Sequence, residues 1–167
     1  EHLSADIVVS TADLHVTERL LPAQQRSRSE RWWDGRDPGP GAVLALLGVK
    51  GELPQLAHHT LLFTREWEEG FDAIYGRGRK RAGTRIPDPA SIYVCRPSAT
   101  DDDVAPAGHE NLFVLIPVPA DTSIGSGGVD GAGDERVERA ADAAIDQLAA
   151  WCGIPDLRDR IVVRRTI

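Results

Sequence analysis

Residues 88–121 read DPASIYVCRPSATDDDVAPAGHENLFVLIPVPAD. Two runs within this stretch, Ser91–Arg96 and Asn111–Val118, are rich in β-branched and aromatic side chains. Pro, Gly and Asp bound both, which is how strands are punctuated. Pro97, Pro117 and Pro119 mark places where a strand leaves its ladder or follows an edge. The connection carries Asp101, Asp102, Asp103, Pro106, Gly108 and His109 and is too long for a tight hairpin turn. It predicts a carboxylate cluster projecting beyond the end of a sheet. Successive carboxylates ordinarily form a solvated turn that accepts a backbone N–H. A metal site would need ligands from elsewhere, and the sequence names none.

Upstream, GAVLALLGVKG (41–51) is apolar on both alternating faces, which predicts a central strand covered on both sides. In QLAHHTLLFT (55–64), His58 and His59 precede a short strand. Adjacent strand residues point to opposite faces, so the two imidazoles are not expected to share an ion, and no metal is predicted. Glu66–Tyr75 predicts an amphipathic helix, with Trp67, Phe71, Ile74 and Tyr75 on one stripe and Glu66, Glu68, Glu69 and Asp72 facing water. Residues 77–86 form a basic loop crowded with Arg77, Arg79, Lys80, Arg81 and Arg85. It reads as a solvated loop or as a contact with anionic lipid. Further upstream, ADIVVS (5–10) predicts a strand, and Asp13 or Thr11 caps a helix ending near Leu21. A second helix is expected from about Gln24 to Trp33, with one of the pair Trp32–Trp33 packed and the other partly exposed.

Downstream, DTSIGSGGVDGAGD (121–134) has the spacing GxGGxxG, close to a dinucleotide fingerprint. Six residues separate Val118 from its first glycine, so no tight strand-to-helix turn is made. Asp130, Asp134 and Glu135 would also repel a pyrophosphate at the helix N-terminus. Residues 121–133 therefore read as a flexible Gly/Ser linker. Val137, Ala141, Ala144, Ile145 and Leu148 recur at helical spacing from Asp134 to Cys152, with Gly153 as the stop and Pro155 beyond. Ile161–Ile167 predicts a last strand. The whole, residues 1–167, reads as a single α+β domain with four to five strands in a mixed or antiparallel sheet and about three helices packed on it.

The 167 residues, 41% hydrophobic and 27% charged, suffice for one buried core. A net charge of −7 argues against nucleic acid as a partner. No run of about twenty apolar residues occurs to span a membrane. Cys95 and Cys152 are far apart without a CxxC, which predicts free, buried thiols in a reducing cytoplasm. The chain starts at Glu1 and contains no methionine, so a piece of a longer protein is expected.

In order along the chain, PQLAHHTLLF (54–63), EWEEGFDAIY (66–75), DPASIYVCRPSATDDDVAP (88–106) and GHENLFVLIPVP (108–119) resemble the bacterial-type phytoene desaturases, flavin-dependent enzymes of carotenoid biosynthesis. The resemblance is strongest over residues 41–119. It implies a substrate-binding part of a desaturase whose parent abstracts hydride from an apolar polyene to FAD. The family's two flavin-binding segments have no counterpart here, so by resemblance the chain alone is expected neither to hold FAD nor to turn over. Asp101 matches the aspartate of the family's Thr-Asp pair near the substrate, which makes it the candidate catalytic carboxylate. His58, His59, Trp33 and Tyr93 are the candidate cavity residues. A cytoplasmic protein peripheral at the inner membrane is expected, as would suit an apolar polyene substrate; the basic loop, where the family usually has a shorter turn, would touch anionic lipid through Arg77, Arg79, Lys80 and Arg81. Residues 1–12 and the last strand would adjoin the missing flavin domain, and their exposed edges predict a homodimer. The rival readings are a self-contained, non-catalytic binding domain and a flavin oxidoreductase acting on another carotenoid or a retinoid.

Overall fold

A computed structural model describes residues 4–36, 39–76 and 85–167. The chain divides into two compact units, Glu1–Asp37 and Pro38–Ile167.

In the first unit, Asp13 caps α1 (Leu14–Arg19), its carboxylate accepting the N–H groups of His15 and Val16. No strand forms over residues 5–10. Ile7, Val8 and Val9 are each more than 80% exposed, and a β-branched run with no ladder beside it leaves its backbone to water. The helix expected to begin near Gln24 is broken. A 3₁₀ turn spans Ala23–Gln25, the N–H and hydroxyl of Ser27 are drawn to the Glu18 carboxylate, and Ser29 then caps a new helix, α2 (Glu30–Asp34). Trp32 and Trp33 are both half-buried, so neither takes the core position expected for one of them.

The second unit is a five-stranded sheet with one long helix across it. Its elements are β1 (Gly41–Lys50), β2 (His59–Leu62), α3 (Trp67–Tyr75), β3 (Ile92–Cys95), β4 (His109–Val118), α4 (Glu135–Cys152), α5 (Leu157–Arg160) and β5 (Ile161–Thr166). The strand order is β2-β3-β4-β1-β5, and every neighbouring pair is antiparallel. The α+β class therefore holds, with an antiparallel sheet. Of the short helices, α2, with five residues, is what remains of the helix expected from Gln24, and α5, with four, was not expected.

Alternation decides which face is covered. Val43, Ala45, Leu47 and Val49 of β1, Ile92 and Val94 of β3, and Leu112, Val114, Ile116 and Val118 of β4 are buried. They form one core with Val137, Ala141, Ala144, Ile145 and Leu148 of α4. Gly153, with φ 67°, ends that helix in the left-handed conformation glycine adopts without steric cost. The opposite row of β1, Leu44 and Leu46, is only half-buried. The expected double coverage of β1 thus fails: its second face meets no helix of the core cluster. The α3 stripe also differs from expectation. Ala73 and Ile74 are buried, whereas Trp67, Phe71 and Tyr75 are 55%, 55% and 44% exposed.

Part of the stretch 121–133 runs along β5. Gly128 accepts the N–H of Thr166, Asp130 donates to the carbonyl of Arg164, and Val129 bridges Arg165 of β5. A Cβ on Gly127 would collide with the Thr166 carbonyl, so this approach requires glycine.

Candidate functional site

The site follows from the sheet's second face. Register places His59 opposite Cys95 and Leu61 opposite Tyr93, while Tyr93 lies opposite Leu115 and Cys95 opposite Phe113. Leu115 in turn pairs with Leu44, and Phe113 with Leu46. The row alternating with the core thus runs from His59 and Leu61 on the edge strand through Tyr93, Cys95, Phe113, Leu115, Leu44 and Leu46. It is a mostly apolar face, half-buried in the middle strands and 58% exposed at Leu61. Phe63, just beyond β2, is 69% exposed; along α3 Trp67 meets Phe71 edge-on and Phe71 stacks on Tyr75.

At the β2–β3 end of this face the aromatic and imidazole groups gather. His59 Nδ1 meets the Tyr93 hydroxyl at 2.8 Å, and the two rings stack 5.9 Å apart. Tyr93 in turn packs edge-on against Phe113, with ring centroids 6.4 Å apart. A hydrogen bond with Cys95, together with desolvation, raises the Tyr93 hydroxyl above its ordinary pKa. His58 Nδ1 lies 2.7 Å from the Thr100 hydroxyl. The rings of His58 and His59 are 4.3 Å apart, which corrects the expectation of opposed imidazoles. His58 stands before the first residue of β2, so strand alternation does not govern it.

Asp101, next to Thr100, is exposed and accepts the N–H of Asp103 at 3.0 Å, the solvated turn expected of this connection. It borders an open groove of about 570 Å³ with Glu52, Arg96, Asp102, His109 and Glu110. Sequence reasoning missed Glu110, which is buried and paired with Arg96 at 2.9 Å. Its carboxylate also accepts from the Leu53 N–H and the Ser98 hydroxyl. The signal was present: Glu110 shares the period-2 register of Leu112 and Val114, so its side chain had to point inward.

The structure therefore brings His58, His59 and Tyr93 together, with Asp101 adjoining through Thr100. Trp33 belongs to the first unit, where it stacks on His15 at 4.9 Å and its indole N–H donates to Glu18 at 3.3 Å. Arg77, Arg79, Lys80 and Arg81 lie outside the described residues. Cys95 and Cys152 are both free and half-buried, less enclosed than expected, and burial pushes the Cys152 thiol up. Among the described residues no helix is long and apolar enough to cross a membrane.

His59–Leu62, Ile92–Cys95 and His109–Val118 thus lie side by side in the sheet, with the cluster at its edge. The chain is 37% identical over 160 residues to the carotenoid 3,4-desaturase of Haloarcula japonica, a match covering 96% of this chain. The chain is a relative of the carotenoid desaturases. It is also 36% identical over 135 residues to a phytoene dehydrogenase of Streptomyces griseus, and 37% identical over 122 residues to a zeta-carotene-forming phytoene desaturase of Myxococcus xanthus. Those two matches cover 76% and 71% of this chain. The chain spans only 29%, 23% and 22% of the lengths of these three carotenoid desaturase relatives. No protein-family model matches it.

FAD, which the family implies, has no fit at the glycine-rich stretch before α4. There the Ser126 N–H is taken by Asp134 Oδ2 and the Gly133 N–H by Glu138 Oε1, so the protein's own carboxylates occupy the donors a pyrophosphate would need.

Proposed function

We propose that this chain forms the polyene-facing wall of a carotenoid desaturase, with FAD held by residues other than these. The observation that carries the reading is the apolar row on the second face of the sheet, only half-buried among the described residues, in a chain related to carotenoid and phytoene desaturases. A long hydrocarbon offers no hydrogen bonds, so its site must consist of contiguous apolar and aromatic surface, with few polar groups to fix position. Leu44, Leu46, Leu61, Phe113 and Leu115 supply the surface. Tyr93, His58 and His59 are the polar groups at its edge. Asp101 stands beside that edge as the candidate charge partner of the reacting polyene.

A substrate dissolved in a bilayer calls for contact with the membrane surface. The exposed rings of α3, directly followed in sequence by the basic stretch 77–86, support a peripheral attachment of the interfacial kind. The test is desaturation of phytoene in anionic liposomes by the full-length parent enzyme that contains this chain, with FAD added. Coloured product from the wild type is expected. Asp101→Asn keeps an oxygen for the Asp103 N–H, so its fold should survive, and the expected loss of turnover with flavin and phytoene still bound places the charge of Asp101 in the chemistry. Full turnover in Asp101→Asn would leave it a turn residue, and no product from flavin-loaded protein would overturn the substrate.

A further inference from the structure

We propose that His58, His59 and Cys95 form a zinc site at the β2–β3 edge of the sheet. One ligand atom from each, an imidazole nitrogen from either histidine and the Cys95 sulfur, lie within 4.8 Å of one another. The backbone sets this up. His59 and Cys95 are directly opposed in the antiparallel ladder, so both side chains stand on the same face. His58 precedes the strand, and its carbonyl accepts the N–H of Arg96, the residue after Cys95. That bond anchors the third donor beside the other two.

The donor set suits zinc. Two neutral imidazoles and a thiolate are its usual protein ligands, in a tetrahedral arrangement that leaves one position open. With metal–donor distances of about 2.0–2.3 Å, donors sit about 3.4–3.6 Å apart around the ion, so the cluster needs to tighten by about 1 Å. Rotation of the exposed His59 side chain and the half-buried His58 and Cys95 side chains would bring the donors together. The outer partners are already in place. Thr100 holds one nitrogen of His58 and the Tyr93 hydroxyl one nitrogen of His59, the kind of second hydrogen bond that orients histidine ligands. Bound zinc would tie the four-residue edge strand β2 to β3. The site shares His58, His59 and Cys95 with the proposed polyene-facing row, but zinc binding is tested without any polyene.

The test uses tag-free protein, reduced and stripped with a chelator, titrated with zinc against a competing fluorescent chelator and with cobalt(II) by absorption. One zinc per chain is expected, with a sulfur-to-cobalt charge-transfer band and a raised thermal midpoint. Cys95→Ser should abolish the band and weaken zinc binding at least tenfold, and His59→Ala should weaken it comparably. Cys152→Ser should leave both unchanged, and circular dichroism verifies that each variant is folded. Absence of saturable zinc binding by the wild type, or unaltered binding and band in folded Cys95→Ser, would overturn the site.

Discussion

Glu110 holds together the end of the sheet where the two long connections meet. Its pair with Arg96 is enclosed, with side chains 9% and 14% exposed, and two further donors satisfy the remaining oxygen capacity. Removing one member of such a pair leaves an uncompensated charge in a poorly hydrated place. Glu110→Ala is therefore expected to cost about 3–5 kcal/mol, read as a lowered urea midpoint. Replacing both partners by apolar residues of similar volume, Arg96→Met with Glu110→Leu, should recover most of that loss. A cost under about 1 kcal/mol for the single change would show that water reaches the pair. The three aspartates nearby were conspicuous in the sequence because charge in a loop stands out. Glu110 was hidden because its charge lies inside a strand, where only register reveals which face it takes.

At the scale of elements, the seam between α4 and β5 is ionic as well as apolar. Arg164 reaches Glu138 at 2.6 Å and Asp142 at 2.7 Å, while Arg158 joins Asp142 to Asp146 from outside. Burial pushes the Asp142 carboxyl up, but its hydrogen bonds from Arg164 and Arg158 outweigh this and leave its pKa lowered. Glu18 in the first unit shifts the same way, chiefly through the Ser27 hydroxyl. A carboxylate with a depressed folded-state pKa contributes stability that is fully present above its unfolded pKa, about 4, and is lost as pH falls through the folded value. The urea midpoint should accordingly hold from pH 7 to about 5 and fall below about 4. Asp142→Asn should lower the midpoint at pH 7 and flatten the acid limb; an unchanged limb would assign the loss to other carboxylates. The helix itself was legible from its 3.6-residue period. The segment leading into it was not, because composition registers glycine as freedom. Here Gly127 serves close approach to β5, a constraint visible only once β5 is beside it.

For the whole molecule, the two faces of one sheet are buried to different degrees, and a single register separates them. The sequence of β1 suggested coverage on both sides because both parities are apolar, yet α4 covers only one. An apolar row only half-buried among the described residues is what a partner surface looks like from one side, and large patches of this kind are uncommon on isolated monomers. Apolar patterning alone therefore could not distinguish the core row from the half-buried row, since both are written in the same residues. Substitutions can. Val114 has no exposed surface, so Val114→Asp buries a charge without a partner and is expected to unfold the sheet, costing more than about 4 kcal/mol. Leu61→Asp, on the alternate row and 58% exposed, should change stability by less than about 1 kcal/mol. If the open row receives the polyene, Leu61→Asp protein will nonetheless lose phytoene uptake from liposomes, measured by co-sedimented carotenoid, while its denaturation midpoint stays near wild type. Retained uptake would move the hydrocarbon site off this face; joint loss of uptake and fold would make Leu61 part of the core instead.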